Sequence, residues 1–346
     1  RSRGLGDVYK RQIDELWRQE IIRAIGPDGT CFGEKASSVL KISEERQGYF
    51  WSRSGSAAFW KPISIAAKLY QGCLQALEEI EEMKGRDDIV RRYTDDEGWW
   101  RLDLWALELA AEADNLSQEE KSGIASQAWR AYGDYLDKAN RALAEAVGRE
   151  GWEVTQLGFW NRAVSGRGRR VVFMVDALRY DLARYLGELL EGDEFRITLK
   201  SALGVLPSIT ELGMAAALPG AESGLEIGFK EGAIKVRLDD EEVADRAGRK
   251  RWLERYVGER GKVVSLDEIG KADLDEVDLL VVFSREVDRF GAFAVDLYPE
   301  GIFEMVRRIG RAIRSLKEAG FERFIICLLY TSPSPRDLST SRMPSS

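Results

Sequence analysis

Four oxygen-bearing side chains in the second half of the chain have the chemistry of metal ligands or nucleophiles. Asp176 ends the apolar segment RVVFMVD, and Asp288 lies in SREVDRFG, after the apolar segment DLLVVFS. Ser208 and Thr210 lie in PSIT, directly before the helical pattern ITELGMAAALPG. A carboxylate at the end of a strand is held rigidly and can bind a metal ion. A hydroxyl can act as a nucleophile when a metal ion lowers its pKa.

Each of these side chains also has an ordinary structural interpretation. Asp176 could equally cap the helix that follows it, because aspartate is a preferred N-cap residue. Taken alone, the hydroxyl of Ser208 or Thr210 is more often a helix cap than a nucleophile. Asp288 is as well placed to form a turn as to bind a metal ion. Position alone therefore leaves both interpretations open.

The segments around these residues alternate between strand-like and helix-like patterns, which predicts an α/β domain with a mainly parallel sheet flanked by helices. In such sheets ligands bind at the carboxyl ends of the strands, where Asp176 and Asp288 are expected. Asp181, inside the first helix, is expected to form a solvated pair with Arg184. The predicted strands are 170–176, 195–202, KVVSL, 278–284 and FERFIICLL, and the predicted helices include ALRYDLARYLGELLEG, ITELGMAAALPG, DDEEVADRAGRKRWLERYVG and GIFEMVRRIGRAIRSLKEAG.

Residues 13–165 are predicted to form a separate all-helical domain that precedes the α/β domain at 166–329. Nine of the ten tryptophans lie before residue 161, and at helical spacing they favour packing over ligand binding. SGRGRR (165–170) is interpreted as a solvated connection between the domains, with a contact to a phosphate backbone as the alternative. Helical spacing predicts that two sets of apolar residues each form one face of a helix. The first set is Ile13, Leu16, Trp17, Ile21 and Ile25, and the second is Leu69, Cys73, Leu77 and Ile80.

The two ends differ in composition from the rest of the chain. RSRGLGDVYKRQ (1–12) lacks a helical or strand period, and residues 330–346 are rich in serine, threonine and proline, which predicts a disordered tail. Both resemble translated adapter sequence and are interpreted as a non-native leader and tail. On this interpretation the natural sheet is incomplete after residue 329, so we expect exposed apolar surface and poor solubility.

Composition excludes several classes of protein and site. The 346 residues are 44% hydrophobic and 32% charged, with a net charge of −8, which suits a globular protein of about two domains. No apolar run approaches the roughly 20 residues of a membrane span, so we expect no membrane partner. Residues 1–12 lack a secretory pattern, and the three cysteines are far apart in the sequence. We therefore expect a cytoplasmic protein. The chain has no histidine, which excludes a Ser-His-Asp triad and every imidazole-bound metal site within it.

Taken together, three segments resemble the PglZ domain of the alkaline phosphatase superfamily: VVFMVDALRYDLARYL, LPSITELGMAAALPG and VVFSREVDRFG. The resemblance covers about residues 125–329. It implies an alkaline-phosphatase-like fold and a phosphomonoesterase or phosphodiesterase that uses two divalent metal ions, usually zinc. It also implies that Asp176 and Asp288 are metal ligands, and that Thr210, or else Ser208, is the metal-activated nucleophile. Many proteins of this family resemble components of BREX phage-defence systems, whose other proteins would then be partners.

The chain departs from the family pattern at two places. The residue four positions after Asp288 is Ala292, where metal-binding relatives have a histidine. FERFIIC should also lead into an Asp-His-Gly segment, which this sequence lacks. Since each catalytic zinc takes about three protein ligands, we expect an inactive fragment of a phosphoester hydrolase. The alternative is a non-catalytic scaffold within a defence complex.

Nucleic-acid binding is a third hypothesis. Five basic residues surround Trp252 on one predicted helix, where they could contact phosphates while the indole stacks on bases. The acidic residues 239–242 at the start of that helix favour a solvated helix instead, because acid first and base last is the order that the helix dipole prefers. The basic residues are Arg246, Arg249, Lys250, Arg251 and Arg255.

Overall fold

The chain forms two compact units that divide between Gly151 and Trp152. The predicted domain boundary, at residue 165, lies later in the chain. Trp160 and Val164 pack in the core of the second unit with Val172, so the segment before SGRGRR belongs with the sheet and not with the helices. The computed structural model describes residues 3–26, 28–48, 57–176, 178–192, 195–206, 209–230, 233–284 and 299–329.

The first unit is helical throughout its described part, as the apolar periodicity predicts. Helix α3 runs through its core and buries Leu69, Cys73, Ala76 and Ile80, which recur at intervals of three or four residues. A 3-10 turn at Ala113–Asn115 and a π-helical turn at Lys121–Ala125 join the last helices. The helices are α1 (Arg3–Ile25), α2 (Phe32–Gln47), α3 (Ala57–Glu82), α4 (Arg86–Thr94), α5 (Trp100–Ala111), α6 (Gln118–Glu120) and α7 (Ser126–Glu150).

Helix α1 departs from the sequence interpretation in two respects. It begins at Arg3, within the segment 1–12 in which we expected no regular structure. Ile25 is fully buried, but Ile13, Leu16 and Trp17 of the same apolar face are exposed. Trp17 instead lies beneath the Arg46 guanidinium, 5.0 Å from its ring centroid. Periodicity identifies the apolar face of a helix, but it does not show how much of that face a neighbouring element covers.

A polar network joins three helices of the first unit at Glu79. The carboxylate accepts hydrogen bonds from Arg92 Nε at 2.7 Å, Trp99 Nε1 at 2.8 Å and Gln75 Nε2 at 2.7 Å. Burial raises the pKa of Glu79, but these hydrogen bonds, with those of Arg92 foremost, outweigh burial and hold the pKa below its ordinary value of 4.5. The ionised carboxylate therefore stabilises the helical unit at neutral pH.

The second unit is built on a four-stranded parallel sheet in the order β5-β6-β1-β7. Its central strand β1 (Arg170–Asp176) is buried on both faces: Val172 and Met174 pack with Leu212 of a helix, while Phe173 on the other face is also fully buried. This burial explains the unbroken apolar run in RVVFMVD. The other strands of this sheet are β5 (Gly261–Ser265), β6 (Leu279–Ser284) and β7 (Arg323–Leu329).

Helices and a small second sheet surround the parallel sheet. The helices are α8 (Tyr180–Leu190), α9 (Thr210–Ala216), α10 (Ala221–Gly224), α11 (Arg246–Val257) and α12 (Pro299–Glu318), with a π-helical turn at Trp160–Val164 and a 3-10 helix at Leu266–Lys271. The second sheet is antiparallel, in the order β2-β3-β4, with β2 at Leu225–Lys230, β3 at Ala233–Leu238 and β4 at Glu241–Glu242. The second unit therefore has the predicted α/β architecture of a mainly parallel sheet flanked by helices, and the helical unit precedes it in the chain.

Two predicted elements of the second unit are wrong. FRITLKSA (195–202) forms neither strand nor helix in its described residues. The long charged helix begins only at Arg246, because Glu241–Glu242 form β4 and the two aspartates before them form the turn from β3, where Asp239 adopts a positive φ of 51°. Aspartate tolerates that conformation. Asp245 then caps α11 by accepting the Gly248 N–H at 2.7 Å.

The segment SGRGRR is part of the second unit. The Arg169 guanidinium donates to the carbonyl oxygens of Val277 at 3.0 Å and Ala319 at 2.7 Å, and it lies 4.3 Å from the Phe321 ring centroid. Arg170 is already the first residue of β1. The segment therefore does not connect the two units, although residues 165–168 are exposed, and Arg169 ties together the residues that precede β6 and β7.

Candidate functional site

Asp176 lies at the carboxyl end of the central strand, where the sequence analysis expected it. It is the last residue of β1, it is only 2% exposed, and it lies opposite Leu329 of β7 in the strand register. Helix α8 begins at Tyr180, and Arg179, not Asp176, occupies its N-cap position. The interpretation of Asp176 as the cap of that helix is therefore wrong, and helix capping does not explain the burial of this carboxylate.

Ser284 ends the strand on the other side of β1. It is buried, and it follows Phe283, which lies opposite Met174 in the register, so Ser284 lies opposite Val175. Asp176 and Ser284 are thus brought to the same edge of the sheet by adjacent parallel strands. Asp288, the second predicted carboxylate ligand, lies outside the described residues, as does Ser208.

Thr210 is the first residue of helix α9, and its side chain is partly buried. Ile209 occupies the N-cap position, so Thr210 is not the cap of this helix. Helix α9 contacts both β1 and β7, and its Leu212 packs with Met174 of β1. The structure therefore places Thr210 on a helix that packs against the two strands ending at Asp176 and Leu329.

A short strap, residues 152–156, holds the loop that leads to Thr210. The Trp152 indole donates to the Gly204 carbonyl at 2.7 Å, and the Thr155 hydroxyl accepts the Leu203 N–H at 2.8 Å. Gln156, the last residue of the strap, is buried. In these contacts, side chains of the strap bond to backbone groups of a loop that has no regular secondary structure. The strap therefore holds this loop in place.

Gln156 joins the loop to helix α9 itself. Its Oε1 accepts the Val205 N–H at 3.1 Å, and its Nε2 donates to the Gly213 carbonyl at 2.7 Å. Gly213 lies in the last turn of α9, where carbonyl groups lack partners within the helix. Sequence reasoning missed this residue, because a lone glutamine in an irregular segment carries no signal of burial.

Asp181 is fully buried and ion-paired, contrary to the predicted solvated pair with Arg184. Arg179 Nε donates to its Oδ1 at 2.9 Å, and Arg179 Nη2 contacts Oδ2. A signal was present in the sequence: Asp181 follows Leu178 by three residues and precedes Leu182, so it falls within the apolar stripe of α8. A buried carboxylate of this kind needs such a partner, and the pair fixes the start of α8 four residues after Asp176.

Cys327 lies two residues before the carboxyl end of β7, but its thiol is not suited to bind a cation. Cys327 lies on β7 opposite Met174 of β1. Burial raises its pKa to about 12. Because the thiolate is the form that binds metal ions, this side chain stays neutral and apolar in character near neutral pH.

The side chains of the basic helix α11 form contacts with other residues of the second unit. Arg249 is buried and donates to the Val243 carbonyl at 3.2 Å, while Arg251 Nε lies 3.4 Å from a Glu241 carboxylate oxygen. The Trp252 indole donates to the Pro219 carbonyl at 3.0 Å. These contacts explain the cluster structurally, and nucleic-acid binding by it stays a prediction.

The described residues do not form a complete metal centre. Across the described ranges, no group of three or more His, Cys, Asp or Glu side chains could hold a metal ion. The described members of the predicted site are one carboxylate, Asp176, and one hydroxyl, Thr210, whereas a catalytic zinc takes about three protein ligands. The donor set of the described residues therefore does not fit two zinc ions.

Comparison with known proteins agrees with the ordered motifs at this sheet edge. Residues 161–306 match the family model described as the BREX system PglZ alkaline phosphatase-like domain. The chain carries a PglZ domain. The matched range contains Asp176, Ser208, Thr210 and Asp288, so all four predicted site residues lie within the domain.

A curated relative of this PglZ domain extends over more of the chain. It is the alkaline phosphatase-like protein BrxZ of Escherichia coli O9:H4 (strain HS), which is 29% identical over 206 residues. That alignment covers 52% of this chain and 23% of the relative, so the chain spans about a quarter of the relative's length. No solved structure matches the chain significantly. Every helix in the described ranges is too short or too polar to cross a bilayer.

Proposed function

We propose that this chain carries part of the centre of a metal-dependent phosphoester hydrolase of a BREX phage-defence system, and that the chain alone does not hydrolyse phosphoesters. Asp176 and Asp288 would be metal ligands, Thr210 the nucleophile with Ser208 as the second choice, and zinc the metal. Other proteins of the defence system would be its partners, in the cytoplasm. The observation that carries the proposal is the buried carboxylate of Asp176 at the carboxyl end of β1.

Three features support the choice of residues. Ligands of parallel α/β sheets bind at the carboxyl ends of the strands, where Asp176 lies. Asp176 and Thr210 are not at the N-cap positions of the helices beside them, so helix capping does not account for either side chain. The strap at Gln156 holds helix α9 and the loop before it, and the buried Arg179–Asp181 pair holds the start of α8.

The proposed inactivity follows from counting donors. The chain has no histidine, and the described part of the site supplies one carboxylate and one hydroxyl. Position 292, where the family pattern has a histidine, is an alanine. A centre that lacks most of its ligands cannot hold two cations against water, so the hydroxyl of Thr210 would keep its ordinary, weakly nucleophilic state.

An assay of phosphoester hydrolysis tests this proposal. The full chain is incubated with an aryl phosphate and a bis-aryl phosphate, with and without added zinc or manganese, beside the variant Thr210→Val. We expect no turnover above the level of the variant. Turnover that depends on added metal and disappears in Thr210→Val would refute the inactivity and would leave the assignment of the site intact. Turnover that persists in the variant would refute the assignment of the nucleophile.

The second candidate function is a non-catalytic scaffold, which the alanine at position 292 favours. Co-expression with the other proteins of a BREX system distinguishes the two. A scaffold would co-purify with them, and the variants Asp176→Asn and Thr210→Val would still complement a defence-deficient strain. A hydrolase centre predicts that the same two variants abolish complementation while leaving co-purification intact.

A further inference from the structure

Strand β2 is an edge of the small antiparallel sheet, and its apolar side chains are unusually exposed. The sheet order is β2-β3-β4, so only one side of β2 is paired within this sheet. Ile227 is 55% exposed and Phe229 is 77% exposed. A Cβ atom built on Gly228 between them would meet no heavy atom within 4 Å of described residues. Such an edge offers unpaired backbone groups and apolar surface to another strand.

The exposed residues share one face of the hairpin with its buried residues. Ile227 lies opposite Val236 and Phe229 opposite Ile234 in the register, and Leu225 lies opposite Leu238. Val236 and Leu238 are fully buried in the core of the second unit, so this face of β3 is anchored while the same face of β2 projects beyond the core. The apolar strip thus belongs to a fixed strand and not to a loose loop.

The sequence of β2 is complementary to itself in the antiparallel direction. If two copies of LEIGFK pair about a two-fold axis at Gly228, Ile227 of each copy lies opposite Phe229 of the other. The same register puts residue 230, a lysine in the sequence, opposite Glu226. Apolar side chains then meet across the axis on one face, and opposite charges meet on the other, as favourable cross-strand pairs do.

We propose that β2 is a homodimerisation edge, which joins the small sheets of two copies of this chain into one six-stranded antiparallel sheet centred on Gly228. Both the apolar pattern and the charges of β2 are complementary to those of a second β2 strand. A second copy of the chain can therefore cover this edge without any other protein. Main-chain hydrogen bonds would supply affinity, and the Ile227–Phe229 pairs would fix the register. The inference does not depend on the proposed hydrolase function.

Sedimentation of the full chain tests the proposal. A concentration series from about 1 to 100 μM is expected to show a reversible monomer–dimer equilibrium, and Phe229→Lys is expected to weaken dimerisation at least about tenfold, because it replaces the central apolar pair with a buried charge. The matched control is Ile197→Lys, another exposed isoleucine outside β2, which should leave the equilibrium unchanged. A chain that is monomeric at every concentration, or a dimer that tolerates Phe229→Lys, would overturn the proposal.

A charge exchange tests the register and the identity of the partner. Glu226→Lys puts like charges opposite each other in a homodimer, and Lys230→Glu does the same with the opposite sign, so each variant alone is expected to dimerise about tenfold more weakly. An equimolar mixture of the two variants restores both opposite-charge pairs and is expected to form a heterodimer with the wild-type affinity. Failure of the mixture to recover would overturn the Gly228-centred pairing, and the melting curves of both variants verify that they remain folded.

Discussion

Replacing Gln156 with methionine tests whether the strap positions Thr210. Methionine has nearly the length and volume of glutamine, so the substitution removes two hydrogen bonds with little change in packing. The Val205 N–H and the Gly213 carbonyl are then left without the side chain that bonds to them, in a buried region. A buried polar group that loses its hydrogen-bond partner costs about 1–3 kcal/mol. The loss of both bonds should therefore cost about 3 kcal/mol, with the Gly213 carbonyl partly compensated by its second lone pair.

This cost should appear as local opening of the loop and of helix α9. A loss of about 3 kcal/mol raises the population of the open state by about 100-fold, since 1.4 kcal/mol corresponds to a factor of ten. Hydrogen exchange measured by mass spectrometry on peptides covering 203–216 reports this change directly. We expect faster exchange in that segment, with unchanged exchange in the helical unit.

The matched control is Gln71→Met. Gln71 donates one hydrogen bond to the Ser37 hydroxyl at 2.7 Å, but at an exposed position where water can replace it. Its effect should stay within about 0.5 kcal/mol. If Gln156→Met leaves the exchange of 203–216 as slow as in the wild type, the strap does not hold the loop and the reasoning about Thr210 is wrong.

Two further predictions concern side chains with shifted pKa values. Glu79→Gln should lower the free energy of unfolding of the helical unit at pH 7. Because the folded-state pKa of Glu79 is lowered, the stability that its carboxylate contributes is complete above the unfolded-state pKa of about 4.5 and is lost as the pH falls through the lower folded-state pKa. The difference in the free energy of unfolding between variant and wild type, measured with urea, should therefore shrink at acidic pH. A difference that does not change with pH would contradict this. Burial, with the nearby Asp103 adding to it, raises the pKa of Cys73, and burial also raises the pKa of Cys327. A thiol reagent at pH 8 should therefore modify only the exposed Cys31 in the folded chain and all three thiols after unfolding, and rapid modification of a Cys31→Ser variant would contradict it.

The parallel sheet could be predicted because its strands are buried on both faces. The runs RVVFMVD and DLLVVFS are apolar without interruption, and the structure confirms them as the neighbouring strands β1 and β6. Their carboxyl ends therefore meet, which is why Asp176 could be placed from the sequence. The ordered motifs around it also identified the PglZ domain, which the comparison confirms.

The missed elements lack such a pattern. The hairpin β2–β3 interleaves apolar with charged residues over only six positions per strand, and its edge leaves Ile227 and Phe229 exposed. FRITLKSA has the composition of a strand, yet its described residues pair with none, because strand formation requires a partner edge that composition cannot reveal. The charged segment 239–245 reads as helix by composition, but Asp239 and Asp245 act there as turn and cap.

The burial of polar residues was the other gap in prediction. Asp181 is buried because Arg179 reaches its carboxylate, and Gln156 is buried because a distant loop and helix both need its amide. Each depends on contacts between segments that local spacing does not encode. The apolar stripe around Asp181 was the single local sign of such burial.

Zinc binding tests the central claim, that Asp176 belongs to a metal centre which this chain does not complete. The full chain and Asp176→Asn are dialysed against zinc over a range of concentrations, and bound metal is measured with Cys31→Ser as the background to remove the exposed thiol. We predict no stoichiometric zinc at micromolar concentration, and weak binding at higher concentration that Asp176→Asn reduces. Tight stoichiometric zinc lost in Asp176→Asn would contradict the incomplete centre, and weak binding that is indifferent to Asp176→Asn would contradict the role of Asp176.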